Sequence, residues 1–306
     1  MSPLSRSGVQ HLRLHLCPTS TAVSSPIRRG VSYLQFPVVS TNGRGPNTIF
    51  CQGLGASWKQ PFVLEVQAEF ERLGRRFTRF QYRFLGAAKN TTDEHRQPIW
   101  NVDTWVEDIV TLIDRFYASS GPLNLMAISA GAQAALRAAM AREYKVHKVG
   151  LISPGVALDL GYMERVLPGS RKRLERGEIV RHPAYKGGDE VYVAYDDLMV
   201  FGRKCPVNQD GPINLKCPVH VVHGIDDKIV PFENSVMLAR KLPPGKCRLV
   251  LANKQGHLFK TCTPDIQRMI EDLVDTENAN EDKWNITHGL FTSNEQTNVH
   301  EWHANM

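Results

Sequence analysis

Leu123-Asn124-Leu125-Met126-Ala127-Ile128-Ser129-Ala130-Gly131-Ala132-Gln133-Ala134 is the stretch whose reading decides the fold. An apolar run, short enough for one buried strand, ends at a serine set between small residues. An Ala-rich segment with helix propensity follows at once. A serine at such a strand-to-helix turn sits on a tight corner, its hydroxyl above the sheet edge. The next residue offers a backbone N–H at the start of a helix. Ala127, Gly131 and Ala132 are the small residues this corner needs, because strand and helix backbones nearly touch there. Ser129 is read as a nucleophile.

Outward from this corner, strands alternate with helices. Towards the N-terminus, residues 31–46 read as an edge strand and turn, 48–51 as a buried strand, and 52–57 as a Gly-containing loop at its carboxyl end. Residues 63–73 have helical spacing, with Val63, Val66, Phe70 and Leu73 on one face and Gly74 as the stop. Residues 77–84 read as a strand and 86–101 as a polar loop. Residues 102–117 form the clearest helix, with Val102, Val106, Ile109, Val110, Ile113, Phe116 and Tyr117 on one stripe. Towards the C-terminus come a helix over 130–142 and a strand over 149–153. The pattern lapses over 156–216, then resumes with a strand (219–223), a helix (234–242) and a strand (248–251). A last helix follows, capped by Thr263 with Pro264 at its first position. Such alternation predicts an α/β fold: a mostly parallel sheet with helices on both faces. Its core spans 31–155 and 217–275, residues 156–216 form a helical lid insertion over the carboxyl edge, and 276–306 form a polar C-terminal tail.

At 306 residues, 42% of them hydrophobic, the chain fits one α/β domain with an insertion, and it holds no apolar run long enough to span a membrane. The net charge of +6 is unevenly placed: the first acidic residue is Glu65, preceded by Arg6, Arg13, Arg28, Arg29, Arg44 and Lys59. A Ser- and Arg-rich, acid-free opening reads as a mitochondrial transit peptide over residues 1–30, with the matrix as destination; a disordered cytoplasmic tail is the alternative. Removing it takes away four arginines and leaves about +2, so the basic balance is no argument for nucleic acid. The cysteines, Cys17, Cys51, Cys205, Cys217, Cys247 and Cys262, form no CxxC pair and no metal-ligand spacing. Reduced thiols, no metal and no cofactor are expected.

A serine hydroxyl attacks near neutral pH only when a base takes its proton and a third group orients that base. In open parallel sheets such groups stand in the loops after strands. Val222-His223-Gly224-Ile225-Asp226-Asp227-Lys228-Ile229-Val230-Pro231 places two carboxylates just past one strand. Ala252-Asn253-Lys254-Gln255-Gly256-His257 places a histidine just past the next. Singly, each has an ordinary explanation as a cap, a solvated carboxylate or an idle imidazole. Together they stand at successive strand ends in the order serine, acid, histidine.

Gly53-Leu54, Ala127-Ile128-Ser129-Ala130-Gly131, the segment from His223 to Pro231 and Gly256-His257 together resemble the α/β-hydrolase superfamily over about residues 47–275. Its His-Gly-x-x-Asp-x-x-Val-Pro motif makes Asp227, not Asp226, the orienting acid. More narrowly, Cys217-Pro218-Val219, the compact insertion and the leader resemble a mitochondrial branch of acyl-protein (palmitoyl) thioesterases and acyl-glucuronide esterases. The chain departs from the wider pattern at Ala127, where a glycine is usual, at 81–88 after the fourth strand, and at Cys51-Gln52-Gly53-Leu54-Gly55, which lacks a His-Gly or Pro-Gly pair.

The resemblance implies a serine hydrolase cleaving acyl thioesters through an acyl-enzyme. Ser129, Asp227 and His257 would be catalytic, the backbone N–H groups of Leu54 and Ala130 would form the oxyanion hole, and Met163, Leu198, Met199 and Phe201 would line an acyl pocket. Its partner would be an acylated protein or a small acyl ester or thioester. A carboxylesterase or acyl-glucuronide esterase is the nearest alternative, and an inactive hydrolase-like binding scaffold the alternative of another class. A fluorescent reporter fused to residues 1–45 is expected to accumulate in mitochondria; fluorescence that stays cytosolic overturns the leader.

Overall fold

The computed structural model describes residues 10–11, 38–83, 85, 99–183 and 188–275. The polar tail, most of the leader and of the loop over 86–101, and the start of the first strand lie outside them. The sheet contains β1 (Gln10–His11), β2 (Val38–Ser40), β3 (Arg44–Cys51), β4 (Arg75–Phe80), β5 (Leu123–Ile128), β6 (Val146–Ile152), β9 (Val219–Gly224) and β10 (Cys247–Ala252). Across the sheet they run β1-β2-β4-β3-β5-β6-β9-β10. β2 is antiparallel to β1 and β4, and every neighbouring pair from β4 to β10 is parallel.

This order contains a reversal. The chain steps from β3 through α1 (Pro61–Arg72) to β4 on one side, then returns through α2 (Val102–Ser120) to β5 on the other. Loops leaving β3 and β5 therefore part in opposite directions at their carboxyl ends, the place where such sheets bind ligands.

Alternation along the strands divides the core. Met126 and Ile128 face α1 and α8 (Pro264–Val274) in one apolar cluster. Leu123, Leu125 and Ala127 face α2, α3 (Gly131–Ala141) and α7 (Glu233–Lys241) in the other. α2 starts where Asn101 accepts hydrogen bonds from Asp103 N–H and Thr104 N–H at 2.9 and 3.2 Å, a cap worth about 1 kcal/mol. Its buried stripe is Val102, Trp105, Ile109, Leu112 and Ile113. The sequence stripe was turned slightly away from this: Val106 and Val110 are half-buried and Tyr117 is exposed. The reason is Trp105, which stacks flat on Tyr82 with centroids 4.1 Å apart and draws that side of the helix inward.

Between β6 and β9 the chain is not purely helical, contrary to the sequence reading. It runs α4 (Leu160–Val166), α5 (Ser170–Glu175), a ribbon of β7 (Val180–Arg181) and β8 (Tyr192–Val193), and α6 (Tyr195–Arg203). Its apolar side chains join the α2/α3 cluster rather than forming a separate core. Phe201 packs on Trp100 at 4.8 Å, and Gln133 Nε2 donates to Phe201 O at 2.8 Å.

Thr263 stands at the N-cap of α8 before Pro264, but its hydroxyl makes no capping bond. The other end of α8 is held by the amino ends of the strands. Asn124 of β5 donates to Leu273 O at 2.8 Å, and Lys148 of β6 to Asp272 O and Asp275 O at 2.6 and 2.7 Å. His220 of β9 lies 2.9 Å from the Asp272 carboxylate. A buried ammonium thus closes carbonyls that the helix itself cannot. Lys148→Met leaves them unsatisfied and is expected to cost about 2–4 kcal/mol, read as a lower urea midpoint. An unchanged midpoint counts against this role.

Candidate active site

Ser129 follows β5 with φ +52°, in the left-handed region that a side chain avoids. Its N–H donates to Ile152 O at 3.1 Å, and its carbonyl accepts from Ala132 N–H and Gly155 N–H at 3.0 and 2.9 Å. The neighbouring backbones approach too closely for larger residues. A Cβ at Gly131 would stand 2.5 Å from the carbonyl oxygens of Cys51 and Gln52, and one at Gly53 would stand 2.7 Å from Ser129 Cβ. The unusual Ala127 sits in regular strand, paired with Cys51 and Leu151 and fully buried, so its methyl falls in the core and not in the turn.

The residues picked from the sequence meet here. Ser129 Oγ lies 2.9 Å from His257 Nε2, and His257 Nδ1 lies 2.7 Å from Asp227 Oδ2. All three are buried. Asp226 is exposed and turns its backbone N–H to Gln255 O at 2.9 Å, so the neighbouring carboxylate alone reaches the histidine. Gly224 permits this meeting: a Cβ there would strike the Gln255 and Gly256 backbone, so the acid and histidine loops lie against one another. Ile225 N–H, donating to Ala252 O at 3.0 Å, ties them further.

Asp227 has more partners than the sequence suggested. Its Oδ1 accepts from Ile229 N–H and Val230 N–H at 2.9 and 2.8 Å, and its Oδ2 also lies 3.0 Å from His223 Nε2. That nitrogen is equally 3.0 Å from Val230 O, another acceptor, so it bears the proton. His223 Nδ1 is left to the Ser235 hydroxyl at 2.6 Å. Burial pushes the Asp227 carboxyl up, but hydrogen bonds from His223 and His257, the charge of His257 and the Val230 N–H outweigh it and hold the group well below the usual carboxylate range. His223 was visible in sequence only as a motif letter; its role comes from its place at the end of β9.

Leu54 and Ala130, expected as oxyanion donors, are buried beside the serine, Leu54 after the β3 exit and Ala130 at the N-cap of α3. Among the described residues, neither backbone N–H donates to a backbone acceptor in the loops and turns. Of the expected acyl-pocket residues, Met163, Leu198 and Phe201 are fully buried in the main cluster and Met199 packs half-buried against it. Sequence reading missed His182, a buried imidazole of the inserted segment beside Gly55.

No protein-family model matches the chain. It is 28% identical over 268 residues to the bovine (Bos taurus) protein named palmitoyl-protein thioesterase ABHD10, mitochondrial, covering 86% of this chain and 83% of that one. The solved mouse alpha/beta hydrolase domain-containing protein 10 superposes with a TM-score of 0.62 at 25% identity, over 82% of this chain and 98% of the other. A monoacylglycerol lipase from Paleococcus ferrophilus shares the fold at a TM-score of 0.55 and 17% identity, over 78% of this chain and 98% of that one. The chain has the α/β-hydrolase fold, and these relatives bear the names of hydrolases.

A carboxyl held low contributes stability that is complete above the unfolded value, about 3.9, and is lost as pH falls through the folded value. The stability gap between the wild type and Asp227→Asn is therefore expected to be flat near neutrality and to narrow below about pH 4 in urea titrations. A gap of the same size at pH 7 and pH 3 contradicts the depressed value.

Proposed function

We propose that this chain is a serine hydrolase that cleaves acyl thioesters through an acyl-enzyme. The observation behind it is the unbroken buried column Ser129–His257–Asp227 at the reversal point of the sheet. The thioesterase name of the bovine relative supports the substrate class.

In this reading His257 Nε2 takes the proton of Ser129 Oγ as the hydroxyl attacks the thioester carbonyl. Asp227, bonded to Nδ1, fixes the tautomer that leaves Nε2 free to accept and stabilises the imidazolium that forms. The oxyanion receives the N–H groups of Leu54 and Ala130, each worth on the order of 3 kcal/mol to the transition state. His257 then returns the proton to the leaving thiolate, and water, activated by the same imidazole, releases the acyl group. The strained serine corner keeps Oγ clear of β5 for the incoming carbonyl.

The segment between β6 and β9 is assigned the lid and one wall of the acyl site. Half-buried Met199 is the part able to meet a chain, and Met163, Leu198 and Phe201 are its packed backing. Residues 1–30 are assigned the leader and the mature protein a mitochondrial location, in line with the names of the relatives.

Ser129→Ala is expected to abolish fluorophosphonate labelling and lower kcat on acyl thioesters by about 10⁵–10⁶, and Asp227→Asn to lower it about 10⁴. A panel of thioesters, carboxylic esters and acyl glucuronides places the substrate, with thioesters expected to give the highest kcat/KM. Undiminished thioester hydrolysis by Ser129→Ala removes the reading.

A further inference from the structure

The segment between β6 and β9 reaches the loop after β3 beside the β7/β8 ribbon. β7 and β8 pair Val180 with Val193 and Arg181 with Tyr192, and the His182 N–H continues the ribbon to Val191 O at 3.0 Å. The His182 side chain is then turned inward, 1% exposed. Its Nε2 lies 2.8 Å from the Tyr162 hydroxyl of α4, with the rings nearly parallel at 15°. Its other edge meets the β3 loop: a Cβ on Gly55 would stand 2.9 Å from Nδ1 and 3.3 Å from Cε1. Gly55 itself has φ +69°, so both its conformation and its contact call for glycine. Two residues earlier, Gly53 abuts Ser129. Leu54 lies between these two fixed points.

His182 Nδ1 has no side-chain partner among the described residues, and the Pro183 carbonyl lies near it. Burial pushes the imidazole down to about 4, against the pull of that carbonyl, and the charge of His257 lowers it further. The ring is therefore neutral at working pH and brings no second cation beside His257. Tyr162 engages only the Nε2 edge of the ring, and the opposite edge lies against the β3 loop, which points to a role there.

We propose that His182 is a positioning residue: braced by Tyr162, its ring bears on Gly55 and fixes the Leu54 N–H where charge develops on the reacting carbonyl oxygen. The role rests on the hydrolase reading above. It makes the inserted segment part of the oxyanion site, through a residue that contacts the loop and not the substrate.

The test compares wild type, His182→Ala, His182→Asn and Tyr162→Phe in kcat and KM on a soluble acyl thioester, and in inhibition by an alkyl trifluoromethyl ketone, whose adduct oxygen occupies the oxyanion hole. His182→Ala is expected to lower kcat about 10–100-fold with KM within about twofold, and to weaken the ketone by a similar factor. Tyr162→Phe should give a smaller loss of the same kind and add nothing in the His182→Ala background, and His182→Asn, which can place an amide against Gly55, should recover part of the rate. Amide exchange over residues 52–56 reads the seat without turnover: it should quicken in His182→Ala while residues 219–224 stay unchanged. A wild type without turnover removes the hydrolase reading, and exchange alone then decides the seat. Unaltered kcat and unaltered exchange in His182→Ala overturn the proposal, as does a change in KM alone. Should His182→Ala fail to fold, the same outcomes in His182→Asn and Tyr162→Phe decide it.

Discussion

The left-handed turn at Ser129 is the constraint on which the site depends. Such a conformation costs a non-glycine residue about 1–3 kcal/mol and persists only where its surroundings over-determine it. Here those surroundings come from its own turn and from distant parts of the chain: the β6 terminus receives the serine N–H, Gly155 and Ala132 hold its carbonyl, and Gly53 and Gly131 let the β3 exit close upon it. The parallel order β3-β5-β6 supplies these neighbours, so the strain is held by the sheet itself.

Electrostatics around Asp227 follow a similar logic. A carboxylate taken out of water is tolerable only with its lone pairs satisfied. Two backbone N–H groups and two imidazoles do this, which leaves the charge fixed in direction as well as satisfied. His223 extends the column away from the serine to Ser235 on α7, so the acid is anchored at its rear by a helix and not by its own loop alone. A group held so firmly can orient His257 without moving itself.

Much of this was legible in the sequence where a pattern repeated locally. The strand before Ser129, the helices over 63–73 and 102–117, and the order of serine, acid and histidine could be read because each lies within one periodic element or just past it. What escaped depended on meetings between distant segments. Trp105, not among the residues of the stripe read over 102–117, is buried because it stacks on Tyr82. The ribbon of β7 and β8 pairs only two residues on each side, too few to show alternation. His182 carries no motif, and its neighbourhood with Gly55 exists only in the folded chain. Ala127 had marked the chain as unusual, yet the strand runs straight through it and the methyl points into the core.

The anchoring of α8 by Asn124, Lys148 and His220 has a bearing on geometry beyond the helix. These residues lie near the amino ends of their strands, whereas Ser129 stands past a carboxyl end. The polypeptide is therefore pinned at Asp275 on the opposite rim from Ser129. A label attached at this end of α8 would therefore sit on the rim away from Ser129, and could report on the anchoring of the helix without approaching Ser129, His257 or Asp227.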